Sequence, residues 1–126
     1  MGRSVGLEIS TRESADVTIL DLQGRVTIGV DGDLLDVQLK TLVTKGARKL
    51  LMNLKDVTQL DSSGISAVVG AYISLSRQGG SLKLVCPRGR VQEVLEVMHV
   101  AEFIPTFEDE KQALESFRTP GPARKP

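Results

Sequence analysis

Short strand-like runs alternate with helix-length amphipathic segments along almost this whole sequence, and that alternation constrains its fold more than any other feature. Two β-like runs come first, Leu7-Glu8-Ile9-Ser10-Thr11 and Val17-Thr18-Ile19-Leu20-Asp21-Leu22, in which apolar and polar side chains largely alternate. The polar residues 13–16 between them read as a hairpin connection, and Gly24 as the stop of the second run. Over 31–44, Leu34, Leu35, Leu39, Leu42 and Val43 recur at helical spacing, with Asp31 or Asp33 as N-cap and Gly46 as the C-terminal stop. Lys49-Leu50-Leu51-Met52-Asn53-Leu54 is short and apolar enough for an interior strand.

A second helix is expected over 63–78, with Ile65, Val68, Val69, Tyr72, Ile73 and Leu75 inward and Gly79-Gly80 ending it. Leu82-Lys83-Leu84-Val85-Cys86 reads as a strand stopped by Pro87. A third helix over 90–98 would bury Val91, Val94, Leu95 and Met98, followed by a strand over 103–107 and a last helix over 110–117. Helices between consecutive strands require a largely parallel sheet. The expected fold is therefore a single α/β domain in the order β-β-α-β-α-β-α-β-α, with a mostly parallel or mixed sheet of about four to five strands and about four helices. The domain spans 1–117, and residues 118–126, RTPGPARKP, read as a disordered tail.

The 126 residues suffice for one core without disulfides or metal. Sixteen basic and sixteen acidic residues cancel, so no net field favours nucleic acid or an anionic membrane. Aromatics at 3% and the absence of Trp argue against a base-stacking platform. No apolar run approaches the ~18 residues that span a bilayer, and the N-terminal MGRSVGLEIS lacks the apolar core of a signal peptide. The single cysteine, Cys86, has no internal disulfide partner and no zinc-ligand spacing. A cytoplasmic protein with no cofactor, no membrane insertion and no direct nucleic-acid contact is expected.

The chemically informative stretch runs from Asn53 to Gly64: a buried strand enters a polar turn, and Asp61-Ser62-Ser63-Gly64 then opens an amphipathic helix. The first turn of a helix has unpaired N–H groups and the positive end of the dipole. Asp and Ser oxygens satisfy those donors, and the same place suits a phosphate. Capping alone accounts for the four residues taken in isolation. Their setting adds to this: the order of elements, Asp-Ser-Ser-Gly after the third strand, and Gly79-Gly80-Ser81-Leu82-Lys83-Leu84-Val85 together resemble the bacterial anti-sigma factor antagonists, the STAS family. The resemblance covers residues 7–117.

The resemblance implies a phosphorylation-controlled, protein-binding switch. In that family the serine directly after the aspartate, here Ser62, is phosphorylated by an anti-sigma factor that is also a serine kinase, and a phosphatase reverses it. The unmodified protein sequesters the anti-sigma factor and frees the sigma factor. The implied partner face comprises Asp61, Ser62, Ser63 and Gly64 with the loop over 24–32, which brings in Arg25 and Thr27. Family members often carry Gly-Glu-x-Asp where this chain has Gly24-Arg25-Val26-Thr27. That departure motivates an alternative, a structural STAS module in a stress-signalling complex or an accessory subunit of a lipid transport system. The chain is expected to be a monomer or weak dimer.

Other candidates have plainer readings. Ser63 is a capping hydroxyl or a partner in an N-terminal turn hydrogen bond, and His99 an electrostatic cap behind the third helix. Cys86 and the methionines Met52 and Met98 read as core. Asp31, Asp33 and Asp36, and the run Glu108-Asp109-Glu110, lack calcium-loop spacing. A hydrolase using Ser62 or Ser63 would need a base that the sequence does not place nearby. Gly-x-Ser-x-Gly, Walker A, Gly-x-Gly-x-x-Gly and His-Glu-x-x-His are all absent, so no enzyme is expected.

Overall fold

The computed structural model describes residues 7–26 and 30–118, with side chains from residue 34 onward in the second segment. The elements run β1 (Leu7–Ser14), β2 (Val17–Val26), α1 (Val30–Thr44), β3 (Lys49–Leu60), α2 (Ser62–Arg77), β4 (Ser81–Val85), α3 (Arg90–Val97), a 3-10 turn (Val100–Glu102), β5 (Thr106–Phe107) and α4 (Glu110–Arg118). They form the expected α/β domain. One five-stranded sheet has the order β1-β2-β3-β4-β5, antiparallel between β1 and β2 and parallel thereafter. Arg118, expected to open the tail, belongs to α4, and Asp31 and Asp33, expected as N-caps, fall inside α1; residues 27–29 and 119–126 and the side chains of Asp31 and Asp33 lie outside the described residues.

The central strands are buried on both faces, which is why they read as near-continuous apolar runs. On one face Leu20, Leu22, Leu50, Met52, Leu54, Leu82 and Leu84 meet Leu35 and Leu39 of α1, Val68 and Leu75 of α2, and Val91 and Leu95 of α3. On the other face α4 alone closes a small second core of Val17, Ile19, Leu51, Val85, Ala113 and Phe117. Toward β1 that face turns polar: Arg12 donates to both Asp21 and Glu110, and Asn53 donates to Asp21.

Several local expectations are corrected. Glu13 and Ser14 belong to β1, and the hairpin turn is only Ala15 and Asp16, with Ala15 at φ 57°. Gly24 does not stop β2; at φ 108° it sits beside a register shift and the strand runs on to Val26. The loop expected over 24–32 is correspondingly shorter, because α1 already begins at Val30. On the helices, Leu34, Ile73 and Met98 are 44%, 44% and 47% exposed, not buried. Ala67 and Ala71 take the inward places of α2, since small residues let α2 approach its neighbours. Met98 turns out because α3 ends at Val97. The last strand is only Thr106–Phe107, preceded by the 3-10 turn.

Candidate functional site

No polar turn separates β3 from the Asp-Ser-Ser-Gly motif. β3 continues through Lys55-Asp56-Val57-Thr58-Gln59-Leu60 and delivers the chain straight to Asp61. Beyond Asn53 it no longer pairs with β4, only with β2. Two register shifts against β2, between Asp21 and Gln23 and between Gly24 and Arg25, each give β3 one extra residue. Asn53 is buried at the first shift, where its Oδ1 accepts the Lys55 N–H at 3.0 Å and its Nδ2 donates to Asp21 at 3.0 Å. Thr58 ties the second, its hydroxyl donating to the Gly24 carbonyl at 3.2 Å. The outcome is that Arg25 faces Gln59 and Val26 faces Leu60, one residue before the motif.

Asp61 is the N-cap of α2, in extended conformation at φ −115° and ψ −173°. Its Oδ1 accepts the backbone N–H groups of Ser63 at 2.9 Å and Gly64 at 3.3 Å. Its own N–H donates to the Val26 carbonyl at 3.2 Å, and its carbonyl accepts the Ile65 N–H at 3.0 Å. Cap, strand end and first helical turn are thus one hydrogen-bonded unit. Ser62, the first helical residue, is exposed; Ser63 is half-buried and Gly64 buried. A Cβ on Gly64 would stand 2.5 Å from Val26 Cγ1, 2.7 Å from the Val26 carbonyl oxygen and 2.8 Å from Leu60 Cδ1. Only glycine lets α2 start this close to the end of β2.

The structure therefore brings Asp61, Ser62, Ser63, Gly64 and the end of β2 together at the carboxyl ends of two neighbouring parallel strands, where open α/β sheets commonly bind ligands. Arg25 is exposed on the rung beside Gln59. Thr27 lies outside the described residues. Of the two roles expected for Ser63, the structure shows the N-terminal turn hydrogen bond: its N–H donates to Asp61, which is the cap. His99 lies elsewhere: α3 starts after β4 at this end of the sheet and runs back, leaving His99 behind its far end, with Nδ1 2.6 Å from Glu102. That geometry offers Ser62 no imidazole base. Cys86 is buried and its thiol is pushed up to about 11 by desolvation, as suits a core residue.

Sequence reasoning gave Asn53 no role in the site, and it named Gly64 without the reason a glycine is needed there. Asn53 looked like one polar residue in an apolar strand, and the only available signal was its burial-prone neighbours. Gly64 looked like part of a motif, and nothing local showed that Val26 would lie against it. Among the described residues no helix is long and apolar enough to cross a membrane.

The model of the STAS domain family matches residues 8–113. A candidate anti-sigma factor antagonist of Thermotoga neapolitana is 33% identical over 73 residues, which are 58% of this chain and 65% of that protein, a little under two thirds of its length. The crystal structure of an anti-sigma factor antagonist from Mycobacterium paratuberculosis superposes with a TM-score of 0.83 at 17% identity, covering 90% of this chain and 95% of that one. The Bacillus cell fate determinant SpoIIAA in its phosphorylated form gives a TM-score of 0.69 at 18% identity, covering 88% of this chain and 100% of the other.

Proposed function

Because this chain belongs to the STAS domain family, we propose that it works by binding a protein rather than by catalysis, as an anti-sigma factor antagonist switched by phosphorylation of Ser62. In the unmodified state it sequesters an anti-sigma factor kinase, and phosphorylation releases that kinase to hold its sigma factor. The observation that carries this reading is the exposed Ser62 hydroxyl at the first position of α2, beside a capping Asp61.

The physical logic is local. A phosphate on Ser62 would bring ~1.5–2 negative charges and several strong acceptors. The helix N–H groups that ordinarily welcome a phosphate are those of the first turn, but two of them already bond the Asp61 carboxylate. The phosphate would therefore stand outward, next to a second negative charge, where it repels a partner surface shaped to desolvate a neutral serine. No rearrangement of the domain is required. Arg25, exposed beside the motif, favours a partner with an acidic contact at that point.

Phosphosite mapping by mass spectrometry on protein from its native cells tests the proposal. Phosphate on Ser62 under some growth or stress condition supports it. Its consistent absence would favour the alternative, a structural STAS module that binds its partner without modification.

A further inference from the structure

β1 is an outer strand of the sheet and pairs with β2. Such a strand presents backbone N–H and C=O groups that can template pairing with another chain. At the opposite edge β5 offers only Thr106–Phe107, whereas β1 runs for 8 residues. The hairpin fixes which of its groups face outward. Ser14 and Val17 close a turn of two residues. In such a hairpin the closing pair exchanges both hydrogen bonds, and bonded and non-bonded pairs alternate from there. Ser14, Arg12, Ser10 and Glu8 therefore direct their backbone groups at β2, while Ile9, Thr11 and Glu13 direct theirs at the open edge; Leu7 has the same parity but is 1% exposed, so its groups are covered.

We propose that this edge is a homodimer interface, in which β1 pairs antiparallel with β1 of a second copy across a two-fold axis at Ser10. Backbone parity allows only registers in which outward-facing residues meet one another. Centred on Ser10, the pairing sets Ile9 against Thr11 twice, so these accessible rungs bond on both sides of the axis. It also sets Glu8 against Arg12 twice, in the closer non-bonded pairs, where opposite charges attract. Centring on Ile9 sets Glu8 against Ser10 instead, and centring on Thr11 sets Ile9 against Glu13.

Charged side chains on an edge strand ordinarily prevent pairing; here they complement each other in one register and oppose slipped ones. Arg12 has room for the extra acceptor, because four of its five N–H donors go to Asp21 and Glu110. The dimer joins two five-stranded sheets into one and is isologous, so it closes without forming a filament. It leaves the Asp61–Gly64 turn open, and its success or failure is independent of whether Ser62 is phosphorylated.

Sedimentation of the full-length chain over a concentration series, with three variants, tests this. The wild type should dimerise reversibly. Glu8→Arg should weaken the dimer about tenfold by opposing Arg12 with like charge. Thr11→Pro removes an outward N–H without touching the β2 ladder, so it should give a monomer with unchanged circular dichroism. Ser10→Cys should oxidise to a covalent dimer, since the two Ser10 residues form a non-bonded pair within disulfide reach. The buried Cys86 does not compete. A wild type that stays monomeric at ~1 mM, a dimer unaffected by both Glu8→Arg and Thr11→Pro, or a Ser10→Cys chain that fails to cross-link would overturn the interface.

Discussion

Gly64 and Val26 touch so closely that the helix carrying the motif and the strand beside it share one surface: a Cβ on Gly64 would lie 2.5 Å from Val26 Cγ1 and 2.7 Å from the Val26 carbonyl oxygen. That carbonyl also accepts the Asp61 N–H. Enlarging residue 64 must push α2 away from β2 and strain the bond that seats the cap. Gly64→Ala should therefore destabilise the domain by about 1–3 kcal/mol, the usual range for overpacking. A urea titration reads this as a lower midpoint at unchanged slope; an unchanged midpoint would show that the contact yields freely.

Asp61 can be separated into cap and charge. Asp61→Ala removes the acceptor for the Ser63 and Gly64 N–H groups and should cost about 1 kcal/mol. Asp61→Asn keeps an oxygen in the same place and should stay within a few tenths of a kcal/mol of the wild type, because Asn caps about as well as Asp. Thermal or urea unfolding of the pair decides this. Equal losses in both variants would show that the carboxylate charge, and not the cap, is what stabilises α2.

The broad architecture was legible because period and segment length carry it: interior strands such as Leu50-Leu51-Met52 are apolar on both faces, and the helices are amphipathic. What stayed hidden was the stretch from Lys55 to Leu60. It extends past β4 and pairs with β2 alone through two register shifts, so neither continuous hydrophobicity nor clean alternation marks it as strand. Ile73 misled for a related reason. Hydrophobicity chose it for the core, but close approach chose Ala67 and Ala71. Asp-Ser-Ser-Gly was legible as a helix start, while the need for glycine at 64 depends on Val26, far away in sequence.

Asn53 is the residue that phases β3 into the motif. Its side chain satisfies the Lys55 N–H at the first register shift and reaches Asp21. Asn53→Leu keeps the volume but removes the partner of that part-buried N–H, a loss of about 1 kcal/mol, the usual net worth of one hydrogen bond. Hydrogen exchange should speed up at residues 55–61 more than at the Leu50–Met52 rungs. Uniform acceleration across the sheet would mean Asn53 contributes only to global stability.

Acid should loosen the polar face of the sheet. Hydrogen bonding from Arg12 holds the Asp21 carboxyl below the usual carboxylate range; burial opposes this and loses, and Asn53 assists. A depressed folded-state pKa contributes stability that is complete above the unfolded value of about 3.9 and disappears as pH falls through the lower folded value. Stability should therefore decline below about pH 4, and Asp21→Asn should flatten that decline while lowering stability at neutral pH. Both side chains are partly exposed, so salt should shrink the difference. Parallel acid profiles for wild type and variant would remove Asp21 from the account.

Ser62→Asp separates the fold from the proposed switch. Position 62 is the first residue of α2 and exposed. A carboxylate there meets the positive end of the helix dipole, worth about 0.3–1 kcal/mol when exposed. The neighbouring Asp61 carboxylate repels it at similar range, so the two effects should leave unfolding within about 0.5 kcal/mol of the wild type, as for most surface substitutions. Partner binding should behave differently. A kinase surface that desolvates a neutral hydroxyl must now accommodate two adjacent carboxylates, and a misplaced charge in a contact of this kind costs several kcal/mol. Pull-down of the cognate kinase should fail with Ser62→Asp and persist with Ser62→Ala, while both variants unfold like the wild type. Loss of binding in Ser62→Ala as well would mean the hydroxyl itself is read by the partner; undiminished binding by Ser62→Asp would mean that charge at this position does not control the complex.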